Sequence, residues 1–257
     1  MRAQNLPAAA GWQWVRGGFA IYRRNPGMFS LLVMSYWFVV VFLNLFPIVG
    51  ALAASAVIPG LSVGLMQAAR NIERGQTVGI QTLLGGFRDN TRTLLTLGVL
   101  YLLATLAALG LSTIADGGDL MRYMLATTRE ERALVEDADF TFSALFVLLC
   151  MIPVVMAWWF APVLAAWHRL PLGKSLFFSF MACVMNWRPF MVYGIGLMLV
   201  AALLPALVLG LLLIILPGLQ SFATLLVSLA MALVIAPTVF ASFYIGYRDI
   251  FGISEIV

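Results

Sequence analysis

The sequence predicts an all-α polytopic membrane protein with six transmembrane helices, arranged as three repeated units of an amphipathic surface helix plus a helical hairpin. Three observations lead there. Asp, Glu, Lys and Arg are missing from residues 25–69, 93–115, 140–167 and 189–247. A charge at the bilayer centre costs about 3 kcal/mol, so uncharged apolar runs of this length are membrane spans. The 257 residues are 63% hydrophobic and 10% charged, where a soluble domain is about 45–50% apolar and about 25% charged. Finally, one pattern of asparagine, proline and small residues recurs along the chain.

The first 25 residues hold Arg2, Arg16, Arg23 and Arg24 but no apolar stretch followed by a cleavage site. The first span is therefore expected to direct insertion itself. Trp12, Val15, Phe19 and Tyr22 share one helical face, with Arg16 and Arg23 off it. That spacing predicts a helix in the headgroup plane, aromatics in lipid and arginines toward phosphates. Residues 25–69 are too long for one span at about 1.5 Å per residue across about 30 Å. Phe46-Pro47-Ile48-Val49-Gly50 divides them into span 1 at 27–46 and span 2 at 49–70. Ile80, Leu83, Leu84 and Phe87 predict a second surface helix, and span 3 covers 92–114. An acidic loop, 116–139, follows, with a short solvated helix expected over 128–137. Span 4 covers 140–166, and Leu176, Phe180, Val184 and Trp187 predict a third surface helix. Leu216-Pro217-Gly218 splits the last run into span 5 at 190–214 and span 6 at 220–246.

The repeats are expected over about 8–74, 77–170 and 172–252 of a single membrane domain. Asn25, Asn90 and Asn186 each stand just before a span, where an asparagine side chain can accept N–H groups that the first helical turn leaves unmet. Pro59, Pro162 and Pro237 interrupt the returning spans, each followed by small residues. A proline removes one helical hydrogen bond, so these are candidate kinks, and each freed carbonyl needs a partner inside the protein. Such kinks either surround a cavity or hinge, or simply shape the bundle.

Charge asymmetry predicts the orientation. The side bearing both termini holds Arg2, Arg16, Arg23, Arg24, Arg70, Arg74, Arg88, Arg92, Arg169, Lys174, Arg188 and Arg248, against Glu73, Asp89, Asp249 and Glu255. The opposite loop holds Asp116, Asp119, Glu130, Glu131, Glu136, Asp137 and Asp139 against Arg122, Arg129 and Arg132. Positive-inside topology puts both termini in the cytoplasm of a bacterial inner membrane. Arg16, Arg23, Arg24, Arg70, Arg88, Arg188 and Arg248 are candidates for binding lipid phosphates there. A GC-rich genome explains the same arginine bias without a function. The net charge of +4 reflects topology, and no nucleic-acid partner is expected.

The spans offer little chemistry. No ionisable carboxylate, Lys or Arg falls at mid-membrane, which argues against a proton-coupled pump or antiporter. His168 is the sole histidine and has no partner at ligand spacing, and Cys150 and Cys183 lack metal or redox spacing. No catalytic, cofactor or metal site is expected. Asn44 would be costly facing lipid, so Asn44 and Tyr36 are candidates to line a cavity.

Several stretches resemble an uncharacterised family of proteobacterial six-span inner-membrane proteins. They are Gly17-Gly18-Phe19 to Asn25-Pro26, Phe46-Pro47-Ile48-Val49-Gly50, Leu84-Gly85-Gly86-Phe87-Arg88, and Trp159-Phe160-Ala161-Pro162 to Asn186. The likeness covers nearly the whole chain and implies fold and location only. More loosely, the repeated hairpin is similar to the membrane domain attached to some glycerophosphodiester phosphodiesterases, without that enzyme's metal-binding residues. Two functions fit. One is a non-enzymatic scaffold or accessory subunit of a membrane complex, or of lipid and envelope organisation, with anionic headgroups and a membrane protein as partners. The alternative is a permease or exporter of an uncharged or amphiphilic solute.

Overall fold

The computed structural model describes residues 3–46, 48–88, 90–126, 141–216 and 218–252. The core of the expected acidic loop, with its helix at 128–137, lies outside the described residues. All regular structure among the described residues is helical. Surface helix α1 (Ala10–Arg24) leads into a first hairpin, α2 (Pro26–Asn44) and α3 (Val49–Glu73). A 3-10 segment (Ile80–Phe87) precedes α4 (Thr91–Asp116) and the short α5 (Asp119–Leu125). The return is α6 (Thr141–Trp158) and α7 (Ala161–Trp167), followed by α8 (Leu172–Met185). The last hairpin is α9 (Trp187–Met198), α10 (Leu204–Ile215), α11 (Gln220–Ala230) and α12 (Ala236–Phe251), with π turns at Leu199–Leu203 and Met231–Ile235.

Six helical stretches are long and apolar enough to cross a membrane: Pro26–Asn44, Val49–Glu73, Thr91–Ile114, Thr141–Trp167, Trp187–Ile215 and Gln220–Phe251. They match the expected spans to within a few residues. Spans 2 and 6 run on past their expected ends, to Glu73 and Phe251, because those last turns pack inside the protein. Trp187 opens span 5 rather than closing the third surface helix, which stops at Met185.

The second surface helix is a 3-10 helix, not an α-helix. Its reason is close approach to α3. A Cβ added at Gly64 would lie 2.1 Å from the Leu83 carbonyl oxygen, and one at Gly86 would lie 2.0 Å from that of Gly60. Only glycines let the two backbones touch this way. Leu83 is buried and Phe87 covers Gly60, while Ile80 and Leu84 stay exposed.

Each amphipathic segment seats on a hairpin outside its own stretch of chain. α1 packs on α9 and α12, the 3-10 segment on α3, and α8 on α6 and α7. For α1 the contact is again through glycine. A Cβ at Gly11 would meet the Pro189 carbonyl oxygen at 2.1 Å, and one at Gly18 that of Thr238 at 2.5 Å. Trp14, Val15 and Ile21 are buried on this side, whereas Trp12 and Phe19 remain exposed for lipid.

The core therefore sits toward the end that carries both termini. Phe29, Leu32, Leu61, Leu65, Leu94, Phe160, Leu164, Tyr244 and Ile250 are almost wholly buried there. Toward the far end the hairpins spread. Phe38, Phe42, Phe46, Ile48, Phe142, Leu148, Leu211 and Ile214 are exposed, an apolar surface that a bilayer covers.

Candidate functional site

The three prolines meet their hydrogen-bond problem in three ways. Pro237 denies the Leu233 carbonyl its helical donor, and the Ser30 hydroxyl on α2 donates to that oxygen at 2.6 Å. The π turn Met231–Ile235 just before it absorbs the local misfit. Pro205 follows the π turn Leu199–Leu203 in the same register. Pro59 lies within an unbroken α3. The Ser55 carbonyl it deprives faces Gly98, where an added Cβ would come within 2.0 Å of that oxygen. The bare Cα of Gly98 thus takes the place of a donor.

At Pro162 the helix breaks, with α6 ending at Trp158 and α7 starting at Ala161. Ser179 on α8 fills the break. Its hydroxyl donates to the Met156 carbonyl at 2.9 Å and accepts the Phe160 N–H at 2.9 Å. Those two groups would have bonded each other in an intact helix. Trp158 is fixed in turn by its indole N–H donating to the Leu97 carbonyl at 2.8 Å.

A cavity of about 330 Å³ opens beside Pro59 and Pro162. Pro59 and Ser62 of α3 line one side, Trp158, Trp159 and Pro162 another, and Phe240 and Phe243 of α12 a third. The lining is largely apolar, with the hydroxyls of Ser55, Ser62 and Tyr101 as its polar groups. Aromatic edges build the walls: Trp159 meets Phe243 at 5.2 Å and Tyr101 meets Trp158 at 5.9 Å. Such rings present a broad apolar surface in fixed geometry.

A polar cluster gathers at the termini end. Glu73 is ion-paired with Arg248, which also binds Asp249 at 2.8 Å. The Tyr244 hydroxyl donates to Glu73 at 2.6 Å, and Arg24 donates to the Glu73 backbone carbonyl at 2.8 Å. Glu73 thereby ties α1, α3 and α12 together. Arg70 lies 5.0 Å over the Trp167 ring. His168 Nε2 is 2.6 Å from the Tyr247 hydroxyl. Burial, reinforced by the nearby Arg70 charge, lowers the His168 pKa below its ordinary value.

Beside this cluster is a second, polar pocket of about 290 Å³. Gln67 and Asn71 of α3, Gln81, Thr82 and Arg88 of the neighbouring segment, and Trp167 line it. Gln67 donates to Asn71 Oδ1 at 2.7 Å. Among the described residues no three His, Cys, Asp or Glu side chains converge as a metal site.

A protein of Burkholderia thailandensis named "Probable inner membrane protein" is 36% identical over 269 residues, spanning 99% of this chain and 96% of that one. The chain belongs to that uncharacterised inner-membrane family. It is thus a multi-pass inner-membrane protein with six apolar helices. No family model and no solved structure matches it.

The candidate residues of this inner-membrane protein separate by position. Asn25 caps α2 through its side chain, accepting from Met28 N–H at 3.4 Å. Asn90 and Asn186 hold the N-cap positions, but their side chains make no cap hydrogen bond; the structure corrects that expectation because Asn90 Oδ1 accepts from the Thr93 hydroxyl at 2.7 Å and Asn186 Oδ1 from the distant Leu6 N–H at 3.0 Å. Asn90 adopts a left-handed φ of 55° and donates to the carbonyls of Ala165 and Leu170 at 3.0 and 3.2 Å, securing the end of α7. Asn186 is fully buried, donates to the Gln4 and Ala182 carbonyls and accepts the Leu6 N–H. It pins the N-terminal strap.

Asn44 is exposed and donates to the Val40 carbonyl of its own helix at 2.8 Å. It lines neither of these two cavities: one amide N–H is met within its own helix, and the side chain stays outside the core. Tyr36 is buried against Phe240 at 5.2 Å and hydrogen-bonds Ser62, a cavity wall residue. It stands behind the wall rather than in the cavity. Of the arginines, Arg23 lies over Phe19 at 5.9 Å and Arg188 over Trp187 at 5.4 Å. Arg16 is exposed on α1, Arg24 and Arg248 are engaged with Glu73, and Arg88 faces the polar pocket. Ser30, Ser179 and Glu73 were not singled out by sequence. Their partners lie 203, 23 and 175 positions away.

Proposed function

We propose that this protein is a non-enzymatic scaffold that organises lipid in the inner membrane, with both termini in the cytoplasm. The observation that carries it is the apolar cavity at Pro59, Pro162 and Phe240, set above a closed core. Its walls suit an acyl chain or similarly amphiphilic molecule, because few fixed polar groups would be left unpaired by such an occupant. Leu61, Leu65, Leu164 and Tyr244 are all but fully buried on the termini side, which leaves a solute no evident axial path. The arginine-rich rim at the termini end supports a cytoplasmic placement by the positive-inside rule.

The alternative, a permease or exporter of an amphiphilic solute, draws on the π turns before Pro205 and Pro237, since such turns are frequent at functional sites. It requires the packed core to open.

Native mass spectrometry after mild-detergent extraction tests the proposal. Retained phospholipid is expected, and Ile58→Trp, which fills the cavity from one wall, is expected to lower retention. Wild-type protein without bound lipid would overturn the reading. So would movement of an amphiphilic dye across proteoliposomes faster than across protein-free vesicles.

A further inference from the structure

We propose that the polar pocket between α3, the 3-10 segment and Trp167 binds a phosphate ester. The shared chemistry is that of an anionic phospholipid headgroup or a soluble glycerol phosphate. The proposal deepens the lipid-organising reading and rests on it for the lipid arm.

The pocket is built of donors. Gln67 spends one amide N–H on Asn71 Oδ1, which leaves the Asn71 amide nitrogen free to donate. Thr82 Oγ1 accepts the Gly79 N–H at 3.4 Å, so its own proton points elsewhere. Gln81 adds a further amide, and Arg88 supplies the charge at the mouth. No acid lines the pocket among the described residues. Phosphate oxygens accept only, and a convergence of neutral donors with one guanidinium is the complement they require.

The ion pairs of the rim leave Arg88 its charge. Arg248 is neutralised by Glu73 and Asp249, and Arg24 is held by the Glu73 carbonyl. Arg88 makes no ion pair among the described residues. Arg70, stacked on the pocket wall Trp167, raises the local positive potential without filling the space. The volume of about 290 Å³ suits a headgroup and is too small for a whole lipid. The apolar cavity uses the adjoining positions of the same helices, Ser62 and Met66 beside Val63 and Gln67, and Val163 beside Ala166. A headgroup site and a chain site thus stand on neighbouring faces of α3.

The test is native mass spectrometry from nanodiscs of equal phosphatidylglycerol and phosphatidylcholine. The full-length wild type is expected to retain phosphatidylglycerol preferentially. Arg88→Gln is expected to reduce that preference about tenfold, the loss of one charge-assisted bond, and Arg88→Lys to keep part of it. Thr82→Val, a milder change, is expected to weaken it as well. Lys174→Gln, on the exposed start of α8 and outside the pocket lining, is expected to leave it unchanged. Displacement by millimolar glycerol phosphate would assign the soluble ester, and resistance would assign the lipid. No preference in the wild type, or equal losses in Arg88→Gln and Lys174→Gln, would overturn the site. Lost headgroup preference with an unchanged total of bound lipid would leave the apolar cavity reading intact. Loss of all lipid with glycerol phosphate binding kept would do the reverse.

Discussion

Ser30 donates its hydroxyl proton to the carbonyl of Leu233 at 2.6 Å, the oxygen that Pro237 leaves without a helical donor. In a bilayer no water can stand in. Ser30→Ala is expected to cost about 1–2 kcal/mol, read as a lower thermal midpoint in detergent. On a Pro237→Ala background, where the helical N–H is restored, the same change is expected to cost clearly less. Equal costs on both backgrounds would show that the hydroxyl does not serve the freed carbonyl.

Gly18 lets α1 rest on α12, with space for no side chain before the Thr238 carbonyl and the Ser242 N–H. Gly18→Ala is expected to destabilise by about 1–3 kcal/mol, as overpacking does. Gly27, on the first turn of α2, has nothing within 4 Å of an added Cβ. Gly27→Ala is expected to be neutral or slightly stabilising. A matched pair of thermal melts checks both.

The Glu73–Arg248 pair joins the end of α3 to the end of α12, with about a quarter of each side chain still exposed. Solvent screening reduces its worth, so Glu73→Gln is expected to cost about 1 kcal/mol. Hydrogen exchange over residues 244–251 is expected to quicken in that variant. Unchanged protection there would mean that apolar packing alone holds α12.

His168 has its pKa lowered by burial and by Arg70. The unfolded chain then binds a proton more readily than the folded one. Stability is fully present above the ordinary histidine value of about 6.5 and declines as pH falls through it toward the folded value. Thermal midpoints at pH 7.5 and 5.5 are expected to differ in this direction, and His168→Gln to reduce the difference.

Burial pushes the Cys183 thiol up to about 12, and its Sγ lies 3.5 Å from the Met156 carbonyl. The thiolate is the reactive form, so Cys183 is expected to resist maleimide at pH 8 until the protein is denatured. Rapid labelling of the folded protein, mapped to Cys183 by mass spectrometry, would contradict the packing of α8.

The spans were legible because lipid imposes a simple rule. Charges mark where helices leave the membrane, and a proline close to a glycine inside a charge-free run too long for one span signals that the run divides. The prolines were legible as residues that leave a helical carbonyl without its donor, since a missing N–H is a property of the residue itself. Their remedies were not. Ser30, Gly98 and Ser179 look like ordinary small residues, and only folding brings them to the orphaned groups. Asn44 shows the opposite failure: an amide that looks costly in lipid satisfies itself on Val40, within its own helix.

The sequence by itself determined that this is a six-helix membrane protein and where its helices start, stop and weaken. It did so through hydropathy, length and proline chemistry, which act along a single stretch of chain. Tertiary structure alone decided that α1 and the 3-10 segment lock into other hairpins through glycine, that the core gathers at the termini end, and that Arg88 faces a pocket. Those outcomes depend on contacts between residues far apart in sequence. Each such contact is set by the fit of two backbones, which no local pattern of residues records.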